Sequence, residues 1–406
     1  MDGVQAVLHR RLRPEATAPL VVGLSGGGDS HALTLIAADW ARTHQRRLVV
    51  LTVDHGLRPE SLGWTHSCAA LVARLGLEFR ALHWMGEKPS QGLPAAARTA
   101  RHRLLADAAR ELGARVILLG HTASDLDEAA LMRASGSTTP SPREWAPSPV
   151  WPEGREVFLL RPMLALGRAE IRDWLTTRGE TWIEDPSNED LRFARARARA
   201  AMTPKTVTAG AAPMDDLADL ARAVFVDQAG VITIPRAALS APGAARLIAV
   251  ASLCAAGTDR PPRRDRLARL TALLNGREPV AATLCGARIE ADAAEARFMR
   301  EVGELARGGA PPLDLHGAGV WDGRFEIRAA RPVRIEALAG HIAHLPPSQR
   351  DALRGVPARA RGALPAIIDG DGGATSPVLG DAPGVFIRSL VQSRLLSACG
   401  VVTREP

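Results

Sequence analysis

Six consecutive residues, Ser25-Gly26-Gly27-Gly28-Asp29-Ser30, set three glycines among two hydroxyls and a carboxylate. Glycines let the backbone turn sharply and aim several N–H groups into one concavity, which is an anion cradle. The loop lies between an apolar run, 20–24, and a helical pattern over 31–42. A helix start placed there adds partial positive charge and suits phosphate or pyrophosphate. Ser25 and Ser30 can donate hydrogen bonds, and Asp29 can hold a metal or position a neighbouring donor. The competing reading is a plain strand-to-helix turn capped by Asp29 or Ser30; the strand–loop–helix context favours phosphate. There is no Gly-Lys-Ser/Thr ending, so this is not a Walker A loop, and the spacing does not fit a dinucleotide fingerprint.

Two further segments follow apolar runs in the same way. Asp54-His55 ends the run 48–53, and Gly120-His121 ends the run 116–119. In an open parallel sheet, ligands bind at the carboxyl ends of the strands, so all three segments are expected to line one cleft. Asp125 and Glu128 lie three residues apart and share one helix face, as a pair that can hold a cation or move a proton. A solvated helix face is the alternative for that pair. Arg98 and Arg101 can meet phosphate, as can Arg192, Arg195, Arg197 and Arg199; solvated basic helices are the competing reading for both sets.

The elements that must position these residues alternate. Strands are expected near 20–24, 48–53, 78–84, 116–119 and 157–160, with helices at 31–42, 61–75, 94–112, 125–134 and 168–178. That order predicts an α/β fold: an open parallel sheet with helices on both faces. Prolines at 140, 142, 147, 149 and 152 make 136–153 a loop with no regular element. Residues 1–200 are expected to form the catalytic domain, 201–214 a linker, 215–305 a helical and mixed domain, and 306–406 a mostly β unit. The smaller domains are α+β in character. Trp321-Asp322-Gly323-Arg324 reads as a strand-turn signal with no chemistry of its own.

The 406 residues carry 51 Lys+Arg against 44 Asp+Glu, a net charge of +7. Only Lys88 and Lys205 are lysines. Arginine stays charged and binds phosphate with a planar fork, so a polyanionic partner is expected, although such a bias also arises from genome composition. Four scattered cysteines, with no CxxC, argue against a zinc site, a disulfide framework or cysteine redox chemistry. No apolar run approaches the ~18 residues of a membrane span, and residues 1–14 mix charges with Val and Leu and lack the long apolar stretch expected of a secretory signal. A cytoplasmic protein with no membrane partner is expected.

The glycine loop resembles the PP-loop of the ATP pyrophosphatase superfamily, whose members adenylate a carbonyl oxygen and release pyrophosphate. Val53-Asp54-His55-Gly56-Leu57-Arg58, Ala97-Arg98-Thr99-Ala100-Arg101-His102, Gly120-His121, Asp125 with Glu128, Arg161-Pro162-Met163-Leu164 and Glu184-Asp185-Pro186-Ser187-Asn188 follow in order. Together they resemble the tRNA(Ile)-lysidine synthetase family, closely over 20–199 and loosely beyond. The resemblance implies an adenine nucleotide alpha hydrolase-like fold, ATP and Mg²⁺ as cofactors, and tRNA(Ile) with a CAU anticodon and free L-lysine as substrates. The wobble cytidine is adenylated and then takes lysine at C2. On this reading Ser25, Gly26, Gly27, Gly28, Asp29, Ser30, Asp54, His55, Gly120 and His121 bind ATP. Asp29, Asp125 and Glu128 are catalytic, and Asp29 and Asp125 hold metal. The arginines at 98, 101, 192, 195, 197 and 199 contact tRNA. Homodimerisation is left open.

The chain departs from the family at Ser124, where an aspartate is usual, and at Thr122, His102 and Ala196. Asp127 is a candidate substitute for the missing carboxylate. Another PP-loop adenylating enzyme, such as a tRNA thiolase, and a non-catalytic tRNA-binding protein are the alternatives. The thiolase reading lacks paired cysteines.

Overall fold

The computed structural model describes residues 1–135, 141–184, 215–370 and 372–406. The chain divides into two compact units, one taking in the N-terminal half together with Val402–Pro406, the other ending at Val401.

The first unit is built on a six-stranded sheet in the order β3-β2-β1-β4-β6-β5. Its strands are β1 (Leu20–Gly23), β2 (Leu48–Asp54), β3 (Glu78–His83), β4 (Val116–Leu119), β5 (Trp145–Pro147) and β6 (Phe158–Leu160). All neighbouring pairs are parallel except β5 with β6. The apolar runs read from the sequence are strands buried on both faces, as a sheet covered on two sides requires. Alternation sorts their side chains into two cores. Leu20, Val22, Leu48, Val50, Val116 and Leu118 face one way; Val21, Val49, Leu51, Ile117 and Leu119 face the other.

Helices α1 (Asp2–Arg11), α2 (Gly28–Thr43), α3 (Ser61–Arg74) and α6 (Arg168–Thr177) cover the first face through Leu8, Leu33, Trp40, Val72 and Ile171. Helix α4 (Leu93–Glu111) covers the second through Leu105, Ala108 and Ala109. Helix α5 (Ala123–Ala134) follows β4 and begins two residues before its expected start. Thr122 and Asp125 close a reciprocal capping box there, which fixes the first turn.

One expectation is overturned. The proline-rich stretch 136–153 contains β5, an edge strand antiparallel to β6. Pro147 is tolerated because an edge strand does not need every N–H for pairing. Trp145 stacks on Phe158, with ring centroids 4.9 Å apart.

In the second unit, β7 (Phe225–Val226), β8 (Ile232–Pro235), β9 (Val280–Leu284), β10 (Ala287–Ala291) and β11 (Glu295–Arg300) form an antiparallel sheet. Helices Ala244–Ala256, Arg264–Asn275 and Val391–Ala398 pack with it around Leu247, Ile248, Leu274 and Leu395. A second antiparallel sheet runs β12 (Leu313–Trp321), β13 (Phe325–Ala337), β14 (Pro365–Ile368) and β15 (Ala374–Thr375), with β16 (Val385–Ser389) also on β13. The turn expected at 321–324 joins β12 to β13, with Asp322 and Gly323 both at positive φ.

Candidate active site

The loop between β1 and α2 holds its own shape. Ser30 Oγ donates to the Gly27 carbonyl (2.9 Å) and accepts from the Ser25 N–H (3.1 Å). Its hydrogen being spent, the Ser25 hydroxyl is the donor in the 3.0 Å contact between the two side chains. Gly26 sits at φ +86°, and a Cβ there would lie 2.4 Å from Ile183 Cδ1. The N-cap of α2 is Gly27, and no side chain caps the helix. Asp29 and Ser30 therefore lie inside the first turn rather than capping it. The first N–H groups of α2 are left for an anion.

Gly120 brings the end of β4 against this loop. A Cβ at Gly120 would meet Asp29 O, Ser30 N and Ser30 Cα, each at 2.9 Å. Only glycine permits that backbone approach.

Three of the expected acids are gathered by a cation the sequence did not single out. Arg168, the first residue of α6, donates Nε–H to Asp29 Oδ2 (3.1 Å), and its Nη1 lies 4.0 Å from Glu128 Oε1. Glu128 is wholly buried and Asp125 nearly so. Burial pushes the Asp29 carboxyl above its usual range; Arg168 opposes the rise and the nearby Asp125 adds to it. Burial disfavours the charged Arg168, but Asp29, Asp125 and Glu128 together hold its pKa up. One signal for Arg168 was available: a cation in the first turn of a helix opposes the helix dipole and calls for a compensating charge.

Asp125 also has a local duty, since its Oδ2 accepts from Thr122 N–H (2.8 Å) and Thr122 Oγ1 (3.2 Å). Asp127 is turned roughly 200° from Asp125 around the helix.

A second group of charges is positive. Arg161 is buried, donating Nε–H to His121 Nδ1 (3.0 Å) and Nη1–H to the Arg143 carbonyl (2.9 Å). Burial, then Arg98, Arg101 and Arg143, lower its pKa to about 10. Burial and the same kind of neighbours, Arg101, Arg98 and Arg161, push His102 down to about 2, so this ring is neutral. The chain thus concentrates guanidinium charge here, a chemistry that can meet phosphate oxygens.

Asp54 shapes the loop after β2, accepting from Gly56 N–H at 2.8 Å with His83 Nδ1 3.6 Å away. Burial raises its carboxyl, but Gly56, Ser61 and the two histidines outweigh that and keep it below the usual range. Burial is also the main force lowering His55, joined by Arg101 and Lys88 and opposed by Asp54. Trp182 and Ile183 were not expected at the site. Ile183 N–H donates to the Gly26 carbonyl (3.0 Å), and the Trp182 ring lies 3.4 Å from where a Gly28 Cβ would be. Arg192, Arg195, Arg197 and Arg199, with Asp185 to Asn188, lie outside the described residues.

Residues 3–206 match the family model of a PP-loop domain. A tRNA(Ile)-lysidine synthase of Caulobacter vibrioides is 49% identical over all of this chain and 99% of its own length. The chain belongs to the tRNA(Ile)-lysidine synthase family. A synthase of Hyphomonas neptunium is 34% identical, over 79% of this chain and 90% of that protein. A third, of Brucella ovis, is 37% identical over 75% and 73%. Among solved structures, a U34-tRNA thiolase from Methanococcus maripaludis aligns over 49% of this chain and 70% of its own, at 14% identity. The TM-score is 0.41. As a lysidine synthase family member the chain is an ATP-using ligase of the PP-loop kind. Among the described residues, no helix is long and apolar enough to cross a membrane.

Proposed function

We propose that this chain joins lysine to C2 of the wobble cytidine in the CAU anticodon of tRNA(Ile), consuming ATP. The carrying observation is that one strand-end region joins an uncapped, glycine-lined helix start to the Asp29–Arg168–Glu128 cluster through Gly120. Phosphate release and amine handling need those two features side by side.

The reaction runs in two steps. Cytidine O2 attacks the α-phosphorus of ATP, and the pyrophosphate leaves into the N–H groups of residues 26–30. The ε-amine of lysine then attacks C2, the C2–O bond breaks, and AMP departs. Negative charge grows on phosphate in both steps, which preorganised backbone N–H groups and arginines stabilise. Free lysine arrives as an ammonium near pKa ~10.4 and must lose a proton before attack. Asp125 and Glu128 hold that ammonium and accept the proton. Arg98 and Arg101 meet phosphate or RNA, as do the arginines from 192 to 199.

Asp29 and Asp125 would hold a magnesium ion: they are hard carboxylate donors in the first turns of α2 and α5, and Gly120, just before the α5 cap, packs against the Asp29 backbone. Mg²⁺ commonly takes one or two carboxylates and completes its shell with phosphate and water. When bound it neutralises charge on the phosphates. The tRNA substrate assigns the reaction to the cytoplasm.

Purified protein, radiolabelled lysine, ATP, Mg²⁺ and bulk bacterial tRNA test the proposal. ATP-dependent label in the tRNA fraction is expected. Absence of label, with tRNA binding intact and a control enzyme active, overturns it.

A further inference from the structure

The exposed large apolar side chains of the first unit are confined to one stretch among the described residues: Leu57, Leu62 and Met85, the last 81% exposed. Leu57 and Met85 belong to the loops that leave β2 and β3 at their carboxyl ends, Leu62 to the first turn of α3 just beyond, and the two loops are tied together. Trp84 N–H donates to the Asp54 carbonyl (2.9 Å), and the Trp84 ring stands edge-on to His55 with centroids 5.9 Å apart. Lys88 Nζ lies 4.2 Å from the Trp84 ring centroid and donates to the Trp84 carbonyl. The result is a half-exposed indole with an ammonium over it and apolar side chains on the same two loops, at the rim that carries Asp54 and His55.

An enzyme that modifies one base of a loop must draw that base out of its stack, leaving its neighbours without a stacking partner. Proteins recognise such single-stranded nucleotides with aromatic faces beside cations. The adenine of ATP is a poorer fit here, because small-molecule pockets enclose most of their ligand and Met85 stands in the open. We propose that Trp84, with Met85 and Leu57 beside it, is the shelf on which a nucleotide flanking the target cytidine stacks, on the face of the ring away from Lys88. This rests on the lysidine-forming reading.

The test is steady-state kinetics of Trp84→Ala, Trp84→Phe and Met85→Ser with tRNA, ATP and lysine varied in turn. Met85 is exposed, so its variant keeps the fold. Trp84→Ala is expected to raise KM for tRNA about 5- to 100-fold, Met85→Ser less, and Trp84→Phe to recover most of the loss, with KM for ATP and lysine unchanged. A rise in KM for ATP alone would assign the shelf to adenine and overturn the proposal, as would no change at all. If the unaltered protein labels no tRNA, the lysidine reading has failed instead. Binding of an anticodon stem-loop RNA to the unaltered protein and to Trp84→Ala then decides the shelf by itself, equal affinities overturning it.

Discussion

Arg161 donates its Nε–H to Nδ1 of His121 across 3.0 Å, and both side chains are buried. An acceptor Nδ1 forces the neutral imidazole to carry its proton on Nε2. Arg161→Met should therefore release His121 into a mixture of tautomers, visible in the ¹⁵N shifts of its ring. The same variant should lose about 10- to 100-fold in kcat, the usual scale for removing a buried charged hydrogen bond. Unchanged ring shifts would rule out the positioning role.

Asp29 projects from the first turn of α2 to Arg168 and lies beside Asp125. Asp29→Ala should abolish ATP-dependent modification while leaving tRNA affinity within about threefold, because the arginines proposed to meet RNA are untouched. Wild-type rates from this variant would remove the loop from the chemistry.

Gly120 has no room for a methyl group against Asp29 and Ser30. Gly120→Ala should displace the loop, lowering stability by about 1–3 kcal/mol and raising KM for ATP. Thermal unfolding and ATP titration check the two effects separately.

Glu405, almost at the end of the sequence, is buried against Arg46, with Oε1 2.9 Å from Nη2 and Oε2 accepting from Arg13 N–H at 2.8 Å. Removing one partner leaves a buried charge uncompensated. Glu405→Ala should cost about 3–5 kcal/mol in urea unfolding of the first unit. A loss below about 1 kcal/mol would show that water reaches Arg46.

Glu144 is held below its ordinary 4.5: burial raises its carboxyl, and hydrogen bonds from Arg11 and Arg10 more than offset this. A carboxyl depressed by folding stabilises the protein fully above its unfolded pKa and loses that contribution as pH falls through the folded one. Glu144→Gln should therefore lower stability near pH 7 by about 1 kcal/mol, given partly exposed partners. The gap to the unaltered protein should close as pH drops below about 4.5, in thermal melts across pH.

The parallel strands and their helices were legible because each is a local pattern. A short apolar run ending in glycine or Asp-His has few ways to be anything but a buried strand, and its carboxyl end marks the cleft. Ser25 to Ser30, Gly120-His121 and the acids of α5 were found that way, and the structure joins them. Strand β5 was not legible, because its prolines argue against a strand locally and only pairing with Phe158–Leu160 makes it one.

The sequence by itself therefore determined the five parallel strands of the sheet, the edge at which a ligand is expected and the types of residue that line it. Tertiary structure alone decided the partnerships: Arg168 with Asp29, Arg161 with His121, Trp84 with His55, and Glu405 with Arg46. The physical reason is that these contacts join residues from 29 to 359 positions apart. A charge or a ring carries no local mark of the distant group that will desolvate or pair with it.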